Sequence, residues 1–383
     1  MRYLTPYIQK DLKKKMVFLG GPRQCGKTTL AKSLLSSGEA LENYFNWDAD
    51  EDRRAILEQK WLGGKGLIVF DELHKYPRWK NWIKGQFDVY RERHQFLVTG
   101  SARLDVYRRG GDSLLGRYHY WRLHPFSLHE IPKGITSADA FQRLLRVGGF
   151  PEPFLDNDET EARRWRKERT ERIIRDDIRD LTSINDLQSL ALLLGLLKTR
   201  VGGLVTFANL AQDLQVAPFT VKRWLEAMER MYLLFSVNPY TKNLPRAIQK
   251  PPKVYFFDNA DVDGDDGARF ENLVATHLLK RLQFLEDSTG HSYSLNYIRD
   301  KEGREVDFVV LKDQKIEELI EVKWSDDRPS TSLSYYAEKL KPKSATQLVA
   351  QLKRPYQKGA LRIESPLSYF ATLEGATSKS GKS

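Results

Sequence analysis

Over the first third of the chain, short apolar runs alternate with stretches whose apolar residues recur at helical spacing. MVFLGG (16–21), GLIVFDE (66–72), HQFLVTGS (94–101) and YHYWRLHP (118–125) read as strands. Strands separated in this way by helices predict a mainly parallel sheet with helices on its faces. The pattern then changes. A loop, GGFPEP (148–153), leads into a densely charged segment over 159–181, where Ile173, Ile174, Ile178 and Leu181 mark a helix with one buried stripe. LQSLALLLGLLKTRVGG (187–203) reads as a buried helix stopped by Gly202 and Gly203. Residues 206–240 then predict helix, turn, helix, strand. A third region begins near Asp261 and holds a helix (268–282) and strands SLNYIRD, VDFVVL and ELIEVKW. The last twelve residues, TLEGATSKSGKS, are small and polar and are expected to be disordered.

Composition narrows the classes. The chain has 383 residues, of which 40% are hydrophobic and 30% charged, enough for packed cores and too apolar for a wholly disordered chain. A formal charge of +11 favours nucleic acid, nucleotides or an anionic surface as partner. The single cysteine, Cys25, excludes an intrachain disulfide framework and a multi-cysteine zinc site. The longest apolar run, Leu190 to Leu197, is too short to span a bilayer, and the charged N-terminus carries no hydrophobic signal region. A reduced, soluble, cytoplasmic protein is expected, with no membrane partner.

Gly21-Pro22-Arg23-Gln24-Cys25-Gly26-Lys27-Thr28 fits GxxxxGK[ST], with an apolar strand before it and the helix TTLAKSLL after it, and these residues with Thr29 are the expected ATP-binding set. In that setting glycines let backbone N–H groups turn toward phosphates, and the helix start adds a positive dipole end. Lys27 is placed to reach the β- and γ-phosphates of ATP, and Thr28 to ligate Mg²⁺. Leu67–Phe70 form an apolar run that ends in Asp71 and Glu72. Strand ends of parallel sheets face the ligand crevice, so Asp71 is expected in the Mg²⁺ shell and Glu72 as the residue that orients attacking water. At the next strand end, Thr99 or Ser101 is either a hydroxyl sensor of the γ-phosphate or an ordinary strand-end cap. Cys25 lies inside the loop, so a thiol reagent is expected to block nucleotide binding by occlusion.

Taken in order, GPRQCGKTTL, LIVFDELHKYPRWK, LVTGSARL, LLGRYHYWRLHPFSLHE and GGFPEP resemble the bacterial and archaeal AAA+ superfamily ATPases that carry a C-terminal domain of unknown function. The resemblance covers nearly the whole chain. It implies an α/β fold: a P-loop AAA+ parallel-sheet domain (1–135), a helical lid or connector (136–185), a winged helix (186–258), a C-terminal α/β domain (259–370) and a tail (371–383). It also implies that Lys27, Thr28, Asp71 and Glu72 are the ATPase residues. Arg117 stands where these proteins place an arginine finger that acts on a neighbouring subunit, which implies a homo-oligomer such as a ring.

Two further segments suggest chemistry. In the second helix of the 206–240 unit, Val221, Trp224, Leu225, Met228 and Met231 line one face and leave Lys222 and Arg223 outside. Residues 238–253 carry Lys242, Arg246, Lys250 and Lys253 and no acid, a composition that fits a basic wing touching DNA, although winged helices also bind proteins. Farther on, Asp307 is followed by Glu321-Val322-Lys323. In a strand, residues i and i+2 share a face, so Glu321 and Lys323 point together. This spacing resembles the PD-(D/E)xK nuclease core. The resemblance implies Mg²⁺ or Mn²⁺ held by Asp307 and Glu321, with helical Glu271 as a further ligand, and Lys323 stabilising charge on the phosphate. The function these readings predict is an ATP-hydrolysing protein that binds and remodels DNA and cuts it with a metal-dependent C-terminal domain. The alternative is a nucleotide-controlled DNA- or protein-binding regulatory switch whose nuclease-like domain is inert.

Overall fold

The computed structural model describes residues 2–35, 42–63, 66–100, 114–178, 186–241 and 250–371. The chain divides into two compact units, 1–125 and 126–383. The expected disordered tail lies outside the described residues.

Unit 1 begins with helix α1 (Thr5–Leu12), strand β1 (Met16–Gly20) and helix α2 (Lys27–Leu34). Strand β2 (Tyr44–Asn46), helix α3 (Asp50–Leu57), strand β3 (Gly66–Asp71), helix α4 (Trp79–Tyr90) and strands β4 (His94–Thr99) and β5 (Tyr118–Arg122) follow. The sheet runs β2-β3-β4-β1-β5 and every pairing is parallel, as the alternation predicts. The short β2 carries too weak an apolar signal to be read from the sequence. Both faces of the central strands are covered, so Val17, Phe18, Ile68, Phe70, Phe96 and Val98 are all buried. Trp61 packs edge-on against Phe70 and Phe96 at centroid distances of 5.9 and 5.7 Å, anchoring one face.

Because β4 lies between β1 and β3, the ends of three strands meet. Asp71 pairs in register with Thr99, and Thr99 with Leu19. The turn after β1 and the last residues of β3 and β4 therefore share one rim of the sheet, where open α/β sheets bind ligands.

Unit 2 opens with helices α5 (Ser137–Arg146), α6 (Pro151–Asp156) and α7 (Glu159–Arg172), the last running into a π-helical turn over Ile173–Ile178. Ile173, Ile174 and Ile178 form the expected buried stripe, while Leu181 lies outside the described residues. Helices α8 (Leu187–Lys198), α9 (Phe207–Leu214) and α10 (Pro218–Arg230) precede a hairpin of β6 (Leu234–Pro239) and β7 (Lys253–Phe256). Val221, Trp224, Leu225, Met228 and Met231 are buried, so Trp224 serves the core.

Helix α11 (Asp266–Thr289) then leads to β8 (Tyr293–Arg299), β9 (Glu305–Lys312), β10 (Lys315–Lys323), α12 (Thr331–Leu340), β11 (Ser344–Val349), β12 (Tyr356–Lys358), β13 (Leu361–Glu364) and α13 (Pro366–Tyr369). The start of α11 is capped by Asp265, which accepts the Ala268 N–H at 2.8 Å. These strands join the hairpin in one eight-stranded sheet, β12-β13-β11-β10-β9-β8-β6-β7. The hairpin is thus built into the sheet that carries the C-terminal acids, and it brings β7 within reach of them.

Candidate functional sites

Unit 1 gathers its predicted residues at the shared rim. The loop after β1 needs unusual backbone: Gly21, Gln24 and Gly26 all have positive φ, at 138°, 61° and 93°. Gly21 has a second reason to be glycine, since a Cβ there would lie 2.3 Å from the Leu123 carbonyl oxygen. Lys27 is buried and its ammonium donates to the Gly21 and Pro22 carbonyls at 3.1 and 2.6 Å, folding its charge over the loop. Arg2 braces the loop from outside by donating to the Cys25 and His124 carbonyls at 2.8 and 2.5 Å. No motif marks Arg2, so the sequence reading missed it.

Asp71 is almost wholly buried and is held by hydroxyls. Thr28 and Tyr44 donate to its Oδ2 at 2.7 and 2.6 Å, and Thr99 donates to Oδ1. Burial and the neighbouring Asp71 push the Tyr44 phenol well above its usual range. Thr99 is therefore engaged with Asp71; Ser101 lies outside the described residues. All three partners are neutral, so the carboxylate charge stays uncompensated. A buried carboxylate beside a hydroxyl at the foot of a phosphate loop fits Mg²⁺, which takes one or two carboxylates and completes its shell with water and phosphate oxygens. Asp71 and Thr28 would hold the ion, which would supply positive charge to the phosphates.

Glu72 sits at φ 56°, a left-handed conformation that a glutamate rarely adopts. Its carboxylate lies 3.4 Å from Lys75 and 3.6 Å from the His74 ring. Burial raises its affinity for a proton, while Lys75 and Lys27 oppose that shift. Arg117 is gripped within its own unit by both oxygens of Asp88, at 2.7 and 3.1 Å. Cys25 departs from expectation. Its thiol is fully buried and donates to the Leu123 carbonyl at 3.5 Å, so a thiol reagent has no path to it in this fold.

Unit 2 brings the second set of predicted residues together. Ile320 pairs with Phe308 across β9 and β10, so Glu321 follows opposite Asp307. Glu271 reaches the same cluster from α11. The residue that the sequence reading misplaced is Lys253. It was expected on an exposed DNA-binding wing, but it is buried, with its ammonium 2.5 Å from Glu305, 3.4 Å from Glu271 and 3.4 Å from Asp307. The cause is topological: Lys253 opens β7, whose alternation aims Lys253 and Tyr255 at one face, and that face meets α11 and β9. The Tyr255 hydroxyl donates to Glu271 at 2.7 Å.

Several carboxylate oxygens of the cluster are engaged. Asp307 accepts the Val322 N–H on Oδ2 at 2.9 Å, Glu305 pairs with Arg299 at 3.2 Å, and Glu321 pairs with Lys323 at 2.9 Å. Glu321 Oε2 is buried without a hydrogen bond. Burial and the nearby Asp307 push both Glu271 and Glu321 well above the usual carboxylate range. Burial works against the charge of Lys253, but Glu271, Asp307 and Glu305 outweigh it and hold the ammonium protonated. Among the described residues no group of three or more His, Cys, Asp or Glu side chains is arranged to hold a metal ion. With the Lys253 ammonium seated among these carboxylates, the cluster as folded does not fit the Mg²⁺ or Mn²⁺ that the D…ExK spacing implies.

The remaining basic candidates divide. Lys222 and Arg223 are exposed on α10, and Lys250 is exposed before β7. Lys242 and Arg246 lie outside the described residues. Lys222 and Lys250 line a cleft of about 1010 Å³ together with Glu226, Glu229, Phe207 and Tyr240. Its lining is thus of mixed sign.

With this geometry in place, comparison with known families places unit 1. Residues 13–132 match the family described as AAA domain. This segment is AAA-like, and nucleotide binding, usually with Mg²⁺, goes with that family. Residues 138–260 match a domain of unknown function (DUF8612), and residues 266–367 match another (DUF4143). Among curated proteins, Uncharacterized protein Rv2008c of Mycobacterium tuberculosis is 27% identical over 243 residues, 63% of this chain and 54% of that protein. Uncharacterized protein MJ1637 of Methanocaldococcus jannaschii is 24% identical over 82% of this chain and 76% of its own length. The chain spans about half the length of the mycobacterial relative.

Among solved structures, the Aeropyrum pernix ORC1 protein in complex with DNA has a TM-score of 0.31 at 14% identity, covering 73% of this chain and 92% of that one. The signal transduction ATPase PH0952 from Pyrococcus horikoshii has a TM-score of 0.28 at 13% identity, covering 76% of this chain and 47% of that one. Likenesses at this level carry no argument about partners. Among the described residues no helix is long and apolar enough to cross a membrane.

Proposed function

We propose that the chain is an ATP-driven switch: the AAA-type domain binds and hydrolyses ATP, and its nucleotide state governs nucleic-acid binding by unit 2. The observation that carries the reading is the meeting of Lys27, Thr28, Asp71 and Glu72 at one sheet rim. Lys27 binds the β- and γ-phosphates, releasing its contacts to the Gly21 and Pro22 carbonyls as it does so. Thr28 and Asp71 would hold Mg²⁺, which would supply positive charge against that of the phosphates. Glu72 orients the attacking water. Arg117 acts on a neighbouring copy once it leaves Asp88, which makes the working unit a homo-oligomer, with a ring as its closed form.

DNA is the partner favoured by the net charge of +11 and by exposed Lys222, Arg223 and Lys250, with Lys242 and Arg246 in the same basic stretch. The three helices and hairpin over 187–256 support a winged-helix reading of that region. The convergence of Glu271, Asp307, Glu321 and Lys323 supports a nuclease-like scaffold. Metal-dependent cleavage is not part of the proposal, because Lys253 fills the acidic cluster. The test is anisotropy of labelled DNA against salt in ATP, ADP and nucleotide-free states, with hydrolysis measured in parallel. Affinity is expected to change with nucleotide. Identical affinity and salt slope in all three states would sink the switch reading.

A further inference from the structure

The acidic cluster of unit 2 raises a question of charge. Glu271, Glu305, Asp307 and Glu321 approach one another inside the fold, where carboxylates without a counter-ion repel strongly. Such a cluster needs a cation, and a divalent metal is one solution. This chain has another on its own backbone. The Lys253 ammonium is 2.5 Å from Glu305 and 3.4 Å from both Glu271 and Asp307, with only 2% of its side chain exposed.

The volumes conflict. A Mg²⁺ ion sits about 2.0–2.1 Å from its oxygens. An ion bridging Asp307 and Glu271 at that distance would occupy the space of an ammonium 3.4 Å from each of them, and like charges would repel at contact. The surroundings also commit the acids to the lysine arrangement. Val322 N–H takes one oxygen of Asp307, Tyr255 takes Glu271, and Arg299 takes the second oxygen of Glu305. Gly202 leaves Glu271 its room, since a Cβ there would lie 2.7 Å from its Oε1.

We propose that Lys253 is a built-in counter-ion occupying the place of a divalent cation in this cluster, so that its removal opens a divalent-metal site. The inference rests on the reading of this domain as a nuclease-like scaffold. ATP hydrolysis and DNA binding are measured separately on the chain that keeps Asp71, so that a failure of the switch reading is distinguished from a failure of this one.

The experiment uses the full chain carrying Asp71→Asn, which removes the metal-holding carboxylate of unit 1, without nucleotide. Mn²⁺ is titrated and followed by electron paramagnetic resonance of the free ion and by thermal unfolding. With Lys253 present, no saturable Mn²⁺ site and no rise in Tm are expected. With Lys253→Ala added, Mn²⁺ affinity is expected to rise more than tenfold and Tm to climb with the ion. Both gains should vanish when Asp307→Asn is added. A saturable site in the chain that keeps Lys253, abolished by Asp307→Asn, would overturn the proposal, because the metal would then have displaced the ammonium. A folded Lys253→Ala chain that binds no Mn²⁺ would overturn it too. Lys253→Gln serves the same purpose should the alanine chain not fold, and the arm with Lys253 decides in either case.

Discussion

The two units each set a lysine beside buried carboxylates, and they use it in opposite ways. In unit 1 Lys27 leans on backbone carbonyls, and Asp71 is held by the neutral hydroxyls of Thr28, Tyr44 and Thr99. Neither charge is cancelled by the other, and under the proposed function the cation meets phosphate and the anion meets metal. In unit 2 the charges cancel internally, since Lys253 sits among Glu271, Glu305 and Asp307. A site whose charges are held apart recruits a ligand of both signs. One whose charges are paired inside the fold has little left to offer and works instead as structure.

The comparison breaks most sharply in function. Lys27→Ala should reduce ATP hydrolysis by about 10²–10³-fold or more, because a preorganised cation at the transferring phosphate is lost. Its unfolding transition should barely move, since Lys27 bonds only to exchangeable loop carbonyls. Glu72→Gln should keep ATP bound while hydrolysis falls by about 10²–10⁴-fold. Steady-state turnover with nucleotide-binding isotherms reads both, and wild-type turnover by the Glu72→Gln protein would remove Glu72 from its role.

Lys253→Met should show the reverse pattern. Breaking a buried ion pair by removing one partner costs about 3–5 kcal/mol, and here three carboxylates are left without it. Chemical denaturation without added divalent ions should report that loss, with nucleotide binding still in place. A variant as stable as wild type would show that the acids take up protons and tolerate one another.

Gly202→Ala is a smaller probe of the same cluster. Gly202 has φ +71°, and its added Cβ would meet the Glu271 carboxylate. Backbone strain and displacement of Glu271 together should cost about 1–3 kcal/mol. A neutral result would mean that Glu271 has room to move and that the cluster is less tightly built than its contacts indicate.

The smallest effect concerns pH. His277 is buried, accepts the Leu128 N–H at Nε2 and bonds the Leu273 carbonyl through Nδ1, so it is neutral. It stacks on His129, and Lys280 lies beside it, itself bonded to Ser127 and Glu130. Burial lowers its pKa to about 3, below its value in the unfolded chain. The unfolded state then binds the extra proton as pH falls below about 6.5, so stability is full above that pH and is lost toward pH 3. The slope is about 1.4 kcal/mol per pH unit at its steepest. Denaturation of wild type and His277→Gln between pH 5 and 7.5 checks this, wild type being expected to lose stability faster on acidification. Parallel curves would mean that His277 titrates normally.

Much of unit 1 was legible because its signals are local. The run Met16–Gly20, the loop glycines and the Asp71-Glu72 strand end each announce an element and its chemistry within a few residues. What escaped was contributed from a distance: Tyr44 on the short β2, Arg2 ahead of α1, and the burial of the Cys25 thiol under Leu123. In unit 2 the strand spacing alone brought Asp307, Glu321 and Lys323 together, because a strand repeats every two residues and an antiparallel partner keeps the register.

Lys253 marks the limit. By composition it belonged with Lys242, Arg246 and Lys250, basic residues in a stretch without acids, and nothing within the segment separates it from them. Whether a lysine faces solvent or a nest of carboxylates is set by which strand lies beside its own. The order β9-β8-β6-β7 and the packing of α11 decided that. The amino-acid order by itself determined the strongly periodic strands and helices and the chemistry available at their ends, since those follow from periodicity and from side chains close in sequence. The tertiary structure alone decided which charges meet: an ion pair depends on separation in space, and Lys253 and Asp307, 54 residues apart, come within 3.4 Å only once the sheet is complete.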